Sequence, residues 1–504
     1  MKLGLALFVV AALVAFAAAF VGVQPNDEGL MLQAAARIAD GQWPYRDFWW
    51  FYPPGQPVLL GGLWAAFGPS LLAWKLVRAL AAGAAAVLAW RLARRGGAPH
   101  WAAVAAWAAA TLALAYPSGP HPFPVTLALC LAALLCLERP ALAGALTGVA
   151  AFWRLEFAAY LGLGILLAYA VRGASGRAAA RFAGAAAVAA ALLFLPFVAA
   201  AGPGDTFELL IRYPLLDFAD YQSLPLPLSY DGPLNTRSPW GFLSDSAENL
   251  LLFYLPLALL IGLAAALVAG AMRFSRADWW RVAAAVFALG MAHYLLARAD
   301  LFHTGPLAVM VAVLATWAAP ALRRPRAPVA AAAAAIAWAA LAFAVVEGAD
   351  RAWLLARAGG TPLDLPVADG VRVPTAHAGA LEGAVGAIRA RVPPGEPIYV
   401  LPRRADLVTA GNPLLYVLAD RPNPTRYDIE APGVVTSAPV QREIVAELER
   451  AQPRVVVRDT SPVTAAREPN AAGRSSGVTL LDDYVARAYR EIGRYGDLVV
   501  LERR

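Results

Sequence analysis

Long apolar runs alternate with short polar loops along the first two thirds of the chain. Each run approaches the length of about 20 residues that a helix needs to cross a bilayer. Backbone polar groups cannot stay unpaired in lipid, so each run predicts a helix. The pattern therefore predicts an α-helical polytopic membrane protein with about 11 spanning helices. They are expected at residues 3–23, 70–90, 101–116, 123–137, 141–153, 156–171, 182–201, 249–271, 281–297, 304–321 and 327–347.

The composition agrees with this prediction. The 504 residues are 60% hydrophobic and 15% charged, whereas about a quarter of a soluble protein is charged. The formal net charge of +7 first suggests a nucleic-acid partner. We reject nucleic acid because the arginines fall in short clusters between apolar runs, as the positive-inside rule describes. The first run is either a cleaved signal peptide or a retained helix, and we favour the retained helix.

The loops between the runs fall into two alternating sets. One set is basic and is expected to be cytoplasmic. The other set is acidic or mixed and includes the loops at 24–69 and 202–247. This alternation places the N-terminus in the cytoplasm and the tail after residue 348 outside. The long loop at 202–247 is either a cap over a site or a disordered connector.

The tail, residues 349–504, has a different pattern. Helical periodicity occurs near 379–392, 412–420, 440–452 and 478–494, and short β-type runs occur at 398–401, 455–457 and 498–500. This alternation predicts an extracytoplasmic α/β domain. Residues 1–348 then form the membrane domain.

The ionisable residues at the ends of the apolar runs collect on the predicted outer side. Ionisable groups at a membrane are costly and usually face a cavity or a partner. A carboxylate there suits a general base, while arginine and histidine suit a phosphate. The alternative is a solvated helix start for Asp27 and Glu28. For Arg154 with Glu156 and for Arg298 with Asp300 it is a local ion pair, and for His303 it is a structural role. The residues are Asp27, Glu28, Arg46, Asp47, Arg154, Glu156, Arg298, Asp300 and His303.

The first outer loop is also rich in aromatic residues. These residues either stack on a sugar ring or a lipid chain, or form an ordinary interfacial belt of the membrane. They are Trp43, Tyr45, Trp49, Trp50, Phe51 and Tyr52.

The first outer loop carries a resemblance to a known clan. Asp27-Glu28-Gly29, followed by Pro44-Tyr45-Arg46-Asp47 and Tyr52-Pro53-Pro54-Gly55, resembles the first outer loop of GT-C glycosyltransferases. Within the clan it is similar to the protein mannosyltransferase and aminoarabinose transferase (ArnT-like) branch. Arg298-Ala299-Asp300-Leu301-Phe302-His303 resembles a late-loop motif of bacterial relatives. The resemblance covers residues 1–350.

The resemblance implies an inverting transferase in the cell membrane that takes a sugar from a polyprenyl-phosphate donor. It implies Asp27 as the catalytic base, with Glu28 assisting or holding a cation. Arg46, Arg154, Arg298 and His303 are the candidates for the donor phosphate. Further substrate contacts are expected from Tyr45, Asp47, Tyr52, Glu156 and Asp300. The clan also allows a divalent metal, although no ligand cluster in the sequence demands one.

The chain departs from the aminoarabinose branch at two positions. Tyr52-Pro53-Pro54 replaces an acidic-Lys-Pro segment, and Leu30 and Met31 stand where that branch has an arginine. The phosphate contacts of that branch therefore do not transfer. Two other functions stay open: a transporter or flippase for a lipid-linked or anionic substrate, and a non-catalytic envelope assembly protein. The sugar and the acceptor, whether a lipid, a glycan or a protein, are not determined by the sequence.

Overall fold

The computed structural model describes residues 2–19, 22–115, 123–174, 176–227, 250–268, 278–317 and 360–504. The helices of the first part are α1 (Lys2–Ala19), α2 (Asp27–Ala39), α3 (Gly55–Phe67), α4 (Leu71–Arg95), α5 (His100–Ala115), α6 (Phe123–Leu135), α7 (Pro140–Ala151), α8 (Leu155–Arg172), α9 (Gly176–Ala201), α10 (Pro203–Phe207), α11 (Ala219–Gln222), α12 (Leu255–Val268), α13 (Trp280–Ala297) and α14 (Thr304–Thr316). Two π-helical segments, Glu208–Asp217 and Leu250–Tyr254, and a 3-10 turn, Leu301–His303, complete it.

Ten of the predicted apolar runs contain helices, and the eleventh, at 327–347, lies outside the described residues. Four helices, α4, α8, α9 and α13, are long and apolar enough to cross a membrane. Six other apolar helices in the described ranges are shorter, so the predicted count of about 11 spans is not confirmed. The chain is thus a helical membrane protein.

The long helices pack in neighbouring pairs. α1 packs on α4, α7 on α9, and α8 on α13, and their buried faces join in one apolar core. α9 is the exception, because most of its apolar surface is exposed. A mostly exposed apolar helix is expected at a lipid boundary.

The tail is an α/β unit. Its helices are α15 (Thr375–Arg389), α16 (Leu414–Ala419), α17 (Ala438–Ala451) and α18 (Leu480–Ala488). Strands β1 (Thr361–Pro362) and β2 (Arg372–Val373) pair with each other. β3 (Ile398–Leu401), β4 (Val455–Asp459), β5 (Tyr489–Tyr495) and β6 (Leu498–Arg503) form a four-stranded sheet in the order β3-β4-β6-β5. Only the β3–β4 pair is parallel.

One of the predicted tail helices is half wrong. The expected helix at 478–494 ends at Ala488, and the rest is β5. β5 pairs with β6 alone, at the edge of the sheet. Its partly exposed side chains carry little hydrophobic pattern, so cross-strand pairing decides its conformation.

A second apolar core joins the tail to the first outer loop. It contains Leu30 of α2, Trp50 of the following loop, Leu210 of the π-helical segment and the buried faces of β3 and β4. The first outer loop therefore packs against the tail rather than standing free.

Candidate functional site

Asp27 and Glu28 begin α2, and their side chains have different partners. Glu28 is buried, and its Oε1 lies 3.2 Å from the Lys75 Nζ of α4. Its Oε2 accepts a hydrogen bond from the Gln24 backbone N–H at 3.0 Å. Asp27 is half-buried and accepts a hydrogen bond from Asn26 Nδ2 at 3.1 Å. The two adjacent carboxylates are thus committed to different surroundings.

The surroundings of Asp27 are set by residues far along the chain. Burial raises the pKa of the Asp27 carboxyl, and the negative charge of Asp300 raises it further. The charges of Arg298 and His303 act in the opposite direction on the same pKa. The predicted first-loop and late-loop groups therefore share one electrostatic environment.

The late loop after α13 is folded around Asp300. The Asp300 Oδ1 accepts hydrogen bonds from the backbone N–H groups of Phe302 and His303, and so caps the short turn. It also lies 2.6 Å from His303 Nδ1. The Asp300 Oδ2 lies 2.7 Å from Arg298 Nε. One carboxylate thus contacts both of the basic side chains, Arg298 and His303, that the sequence predicted at this loop.

The third predicted group stands between α7 and α8. Arg154 is buried, and its Nε lies 2.6 Å from Glu156 Oε1. Its Nη2 donates to the Tyr294 hydroxyl at 3.1 Å. The Tyr294 ring lies 4.4 Å from the His303 ring. Tyr294 therefore connects the Arg154 group to the late loop.

Gly55 fixes the position of the Arg154 turn. Its N–H donates to the Phe152 carbonyl at 2.8 Å. A side-chain Cβ at Gly55 would lie 2.4 Å from that oxygen, closer than any real Cβ contact. The glycine of the Tyr52-Pro53-Pro54-Gly55 motif is thus required by a close approach between two loops.

Tyr52 lies between these groups. Burial raises the pKa of Tyr52, and the charge of Asp27 adds to the effect, while Arg154 and Arg298 oppose it. The backbone carbonyl of Tyr52 accepts a hydrogen bond from the Tyr45 hydroxyl at 2.7 Å. Tyr45 is buried, and its hydrogen bond fixes the backbone of Tyr52.

The tail adds a residue to this group. Glu468 Oε1 lies 3.1 Å from Arg298 Nη2. Arg298 Nη1 donates to the Gln222 carbonyl at 2.8 Å. The segment at 219–224 and the tail therefore meet at Arg298. The described part of the predicted loop at 202–247 is folded, and its residues 228–247 lie outside the described ranges.

We call these residues the polar cluster. They come from five separate parts of the chain, and all of them lie at helix ends or in connecting segments. The members are Asp27, Tyr52, Arg154, Glu156, Tyr294, Arg298, Asp300, His303 and Glu468.

Other predicted site residues lie outside the polar cluster. Arg46 and Asp47 form a partly exposed ion pair at 2.7 Å, and the Trp43 N–H donates to Asp47. Neither bonds to a member of the polar cluster within the described ranges. They stabilise their own turn. Glu28 is paired with Lys75, and its assisting role stays a prediction.

The aromatic run has a role that the sequence did not suggest. Trp49 packs 5.0 Å from the Tyr213 ring, and its backbone N–H donates to the Arg426 carbonyl at 2.8 Å. Phe48 and Trp50 are fully buried. This run forms the core between the first outer loop and the tail, so it is neither an interfacial belt nor a sugar platform.

The tail is held to α2 by specific contacts. Arg37 Nε lies 2.5 Å from Asp428 Oδ2 in a buried ion pair. The Gly411 N–H donates to Asn26 Oδ1 at 3.2 Å, beside Asp27. A Cβ at Gly29 would lie 2.2 Å from the backbone nitrogen of Leu414. Gly29 of the first-loop motif therefore allows the tail to approach α2.

Three residues of this arrangement escaped the sequence analysis. Lys75 is one of only two lysines in the chain and lies within an apolar helix, which is an available signal for a buried partner. Tyr294 is in the last turn of α13, four residues before Arg298 of the late loop. Nothing local to Glu468 indicates its contact with Arg298.

The described residues do not fit a divalent metal. No three His, Cys, Asp or Glu side chains within the described ranges are arranged to hold an ion. The carboxylates near Arg298 are instead engaged by cations.

Comparison with known proteins finds a solved structure with partial similarity. The archaeal oligosaccharyltransferase AglB from Archaeoglobus fulgidus, solved with an inhibitory peptide and a dolichol-phosphate, is 14% identical to this chain. The alignment covers 90% of this chain and 69% of that one, with a TM-score of 0.46. No family model and no curated protein matches the chain. The chain is a helical membrane protein with an α/β tail, and the tail contributes Glu468 to the polar cluster.

Proposed function

We propose that the protein is an inverting glycosyltransferase that moves a sugar from a polyprenyl-phosphate-linked donor to an acceptor hydroxyl. In this proposal the sugar transfer takes place on the outer face of the cell membrane, with the N-terminus in the cytoplasm and the tail outside. Support comes from the polar cluster, which combines a candidate base with two arginines and a histidine beside helices of membrane-spanning length.

One observation carries the proposal. Glu28, Glu156, Asp300 and Glu468 each pair with a cation within 4.0 Å. Among the described residues, no cation pairs with Asp27 within that distance. The pKa of Asp27 is raised, which brings it closer to the operating pH, where a general base is most effective. Asp27 is thus the carboxylate available to take a proton.

The reaction follows from these positions. Asp27 accepts the proton of the acceptor hydroxyl as that oxygen attacks the anomeric carbon of the sugar. The bond between that carbon and the phosphate oxygen breaks, and its electron pair leaves with the polyprenyl phosphate. Configuration inverts because attack and departure occur on opposite faces. Asp27 later releases its proton to solvent.

The cations of the polar cluster serve the leaving group. Arg298 and Arg154 offer N–H donors with fixed geometry, which suit phosphate oxygens. His303 adds a further N–H when protonated. Such preorganised donors stabilise charge that develops in the transition state, commonly by about 2.7–4 kcal/mol for each donor. Tyr52 is the proposed sugar contact, because the charges of Asp27, Arg154 and Arg298 all act on its pKa.

The test is a transfer assay on purified protein in lipid nanodiscs with a panel of radiolabelled polyprenyl-phosphate sugars and a mixture of envelope lipids and glycans as acceptors. We expect wild-type protein to consume one donor and Asp27→Asn to lose transfer by at least a factor of about 10³. Asp40→Asn is the matched control, because Asp40 is exposed at the other end of α2.

The outcomes separate the alternatives. Near-normal transfer by Asp27→Asn would remove Asp27 as the base. Donor binding followed by movement of intact donor between leaflets, without any sugar transfer, would favour a flippase. A tail-dependent envelope defect that is unaffected by Asp27→Asn would favour an assembly protein.

A further inference from the structure

Arg298 is fully engaged in this structure. Its Nε lies 2.7 Å from Asp300 Oδ2, and its Nη1 donates to the Gln222 carbonyl at 2.8 Å. Its Nη2 lies 3.1 Å from Glu468 Oε1, and Glu468 Oε2 lies 3.5 Å from Nη1. A phosphate cannot take the outer edge of this guanidinium while Glu468 occupies it.

Glu468 is held in place by its own loop. The Asn470 Nδ2 donates to Glu468 Oε2 and to the Tyr221 carbonyl, both at 2.8 Å. The Ala471 N–H donates to the Asp220 carbonyl at 3.1 Å. The tail loop 466–473 therefore connects the carboxylate to the segment 219–224.

The segment 219–224 depends on Arg298 in turn. Besides the Gln222 contact, Leu224 pairs with Arg298 as an isolated bridge, and the Ala299 N–H donates to the Leu224 carbonyl at 3.1 Å. The tail loop, the segment and Arg298 thus form a closed set of contacts around one guanidinium. A change of partner at Arg298 therefore affects both the tail loop 466–473 and the segment 219–224.

Carboxylate and phosphate bind a guanidinium in the same way, by charge-assisted hydrogen bonds from adjacent nitrogens. Two carboxylates, Asp300 and Glu468, already share Arg298. An arriving phosphate beside both would meet like-charge repulsion. Asp300 is fixed by the backbone of its own turn, whereas Glu468 enters from the tail. Glu468 is the partner that can leave.

We propose that Glu468 is an anionic placeholder, which occupies the phosphate position on Arg298 until the phosphate of a lipid-linked donor displaces it. Displacement frees loop 466–473 and loosens the segment 219–224, which connects donor arrival to movement of the tail. This inference rests on the proposed function, because it uses the same donor class at the same site.

The experiment measures binding of a polyprenyl monophosphate, with the matching polyprenyl alcohol as the uncharged probe. The proteins are wild type, Glu468→Gln and Glu491→Gln, all full-length in nanodiscs. Glu491 is the matched control, because it is an exposed tail carboxylate paired with Arg494. We expect Glu468→Gln to bind the monophosphate about tenfold more tightly than wild type, within the usual range of such coupling. Glu491→Gln should match wild type.

Hydrogen exchange supplies a readout that a purely structural Glu468 would not change. In wild-type protein the monophosphate should raise the exchange of the Ala471 amide, and the alcohol should not. In Glu468→Gln this amide should exchange rapidly before any ligand is added.

The outcomes are distinct. Equal or weaker monophosphate binding by Glu468→Gln, with wild type binding normally, would overturn the placeholder and leave the proposed function intact. If wild type and both variants bind the monophosphate no better than the alcohol, the lipid-phosphate donor class itself is wrong, and the placeholder is wrong with it.

Discussion

Glu28 and Lys75 form a buried ion pair between the start of α2 and the first turns of α4. The Glu28 Oε1 lies 3.2 Å from the Lys75 Nζ, and neither side chain is more than 5% exposed. Lys75 also donates to the Gly22 carbonyl at 3.1 Å. The two consecutive acidic residues thus have different surroundings: Glu28 pairs with Lys75, and Asp27 belongs to the polar cluster.

The Glu28→Gln variant tests this anchor. It leaves the Lys75 charge buried without its counterion, so we expect a loss of about 3–5 kcal/mol in the free energy of unfolding. Thermal unfolding in detergent is the measurement. Glu138→Gln is the control, because Glu138 pairs with Arg172 at the surface, where a pair contributes about 1 kcal/mol or less. Equal melting temperatures for the two variants would contradict a structural Glu28.

The pH profile of transfer tests the surroundings of Asp27. A base works only when deprotonated, and burial raises the pKa of Asp27. Activity is therefore expected to fall as pH drops through a pKa above the ordinary aspartate value. Asp300→Asn removes a negative charge that contributes to this shift, so the acidic limb of kcat/KM should move to lower pH. If the acidic limb of kcat/KM lies at the same pH in wild type and in Asp300→Asn, a group other than Asp27 is responsible for it.

The Gly29→Ala variant tests tail docking. The added Cβ meets the Leu414 backbone at 2.2 Å, and backbone at a packed contact cannot move cheaply. We expect the tail to become sensitive to limited proteolysis and transfer to fall, because the apolar core beside Tyr52 loses its packing. Gly62→Ala in α3 is the control, since its Cβ would meet nothing within 4 Å. An intact, protected tail in Gly29→Ala would contradict this packing.

Glu430 makes the stability of the tail depend on pH. It is buried, and its carboxylate oxygens accept no hydrogen bond from the described residues. Burial raises the pKa of Glu430 well above its ordinary value, and the charge of Asp459 adds to the shift. The folded state then holds more protons than the unfolded state. The free energy of unfolding should therefore fall as pH rises above the ordinary glutamate pKa, by about 1.4 kcal/mol per pH unit within that window.

Replacing Glu430 by Gln removes the titration. We expect this variant to be more stable than wild type at neutral pH and to show a flatter dependence of melting temperature on pH. Glu449→Gln, at an exposed position of α17, should keep the wild-type slope. A steep slope that persists in Glu430→Gln would assign the effect to another carboxyl group.

The sequence predicted those features that depend on local pattern. Apolar runs predict the helices, and the alternation of basic and acidic loops places Asp27, Arg154 and Arg298 on the same side of the membrane. The Arg154–Glu156 pair, two residues apart, was also within reach of local reasoning. These features follow from lipid solvation and short-range charge, which a single chain displays directly.

Contacts between distant parts of the chain were not predictable in this way. Gln33 and Asp428 are separated by 395 positions, and Asn26 and Gly411 by 385. Such pairs depend on how whole units dock, and neither partner carries a local signal. The role of the aromatic run at 48–51 was misjudged for the same reason, since its partners Tyr213 and Tyr427 come from two other parts of the chain.

The hydrogen bond from Gly411 to Asn26 has a consequence for biosynthesis. The first outer loop emerges early, but its partners are made only after nearly four hundred more residues. A ribosome adding about 5–20 residues per second needs tens of seconds for that interval. During that time the nascent chain carries Asp27 without the tail contact to the neighbouring Asn26, so the start of α2 reaches its final packing only after the tail has been translated.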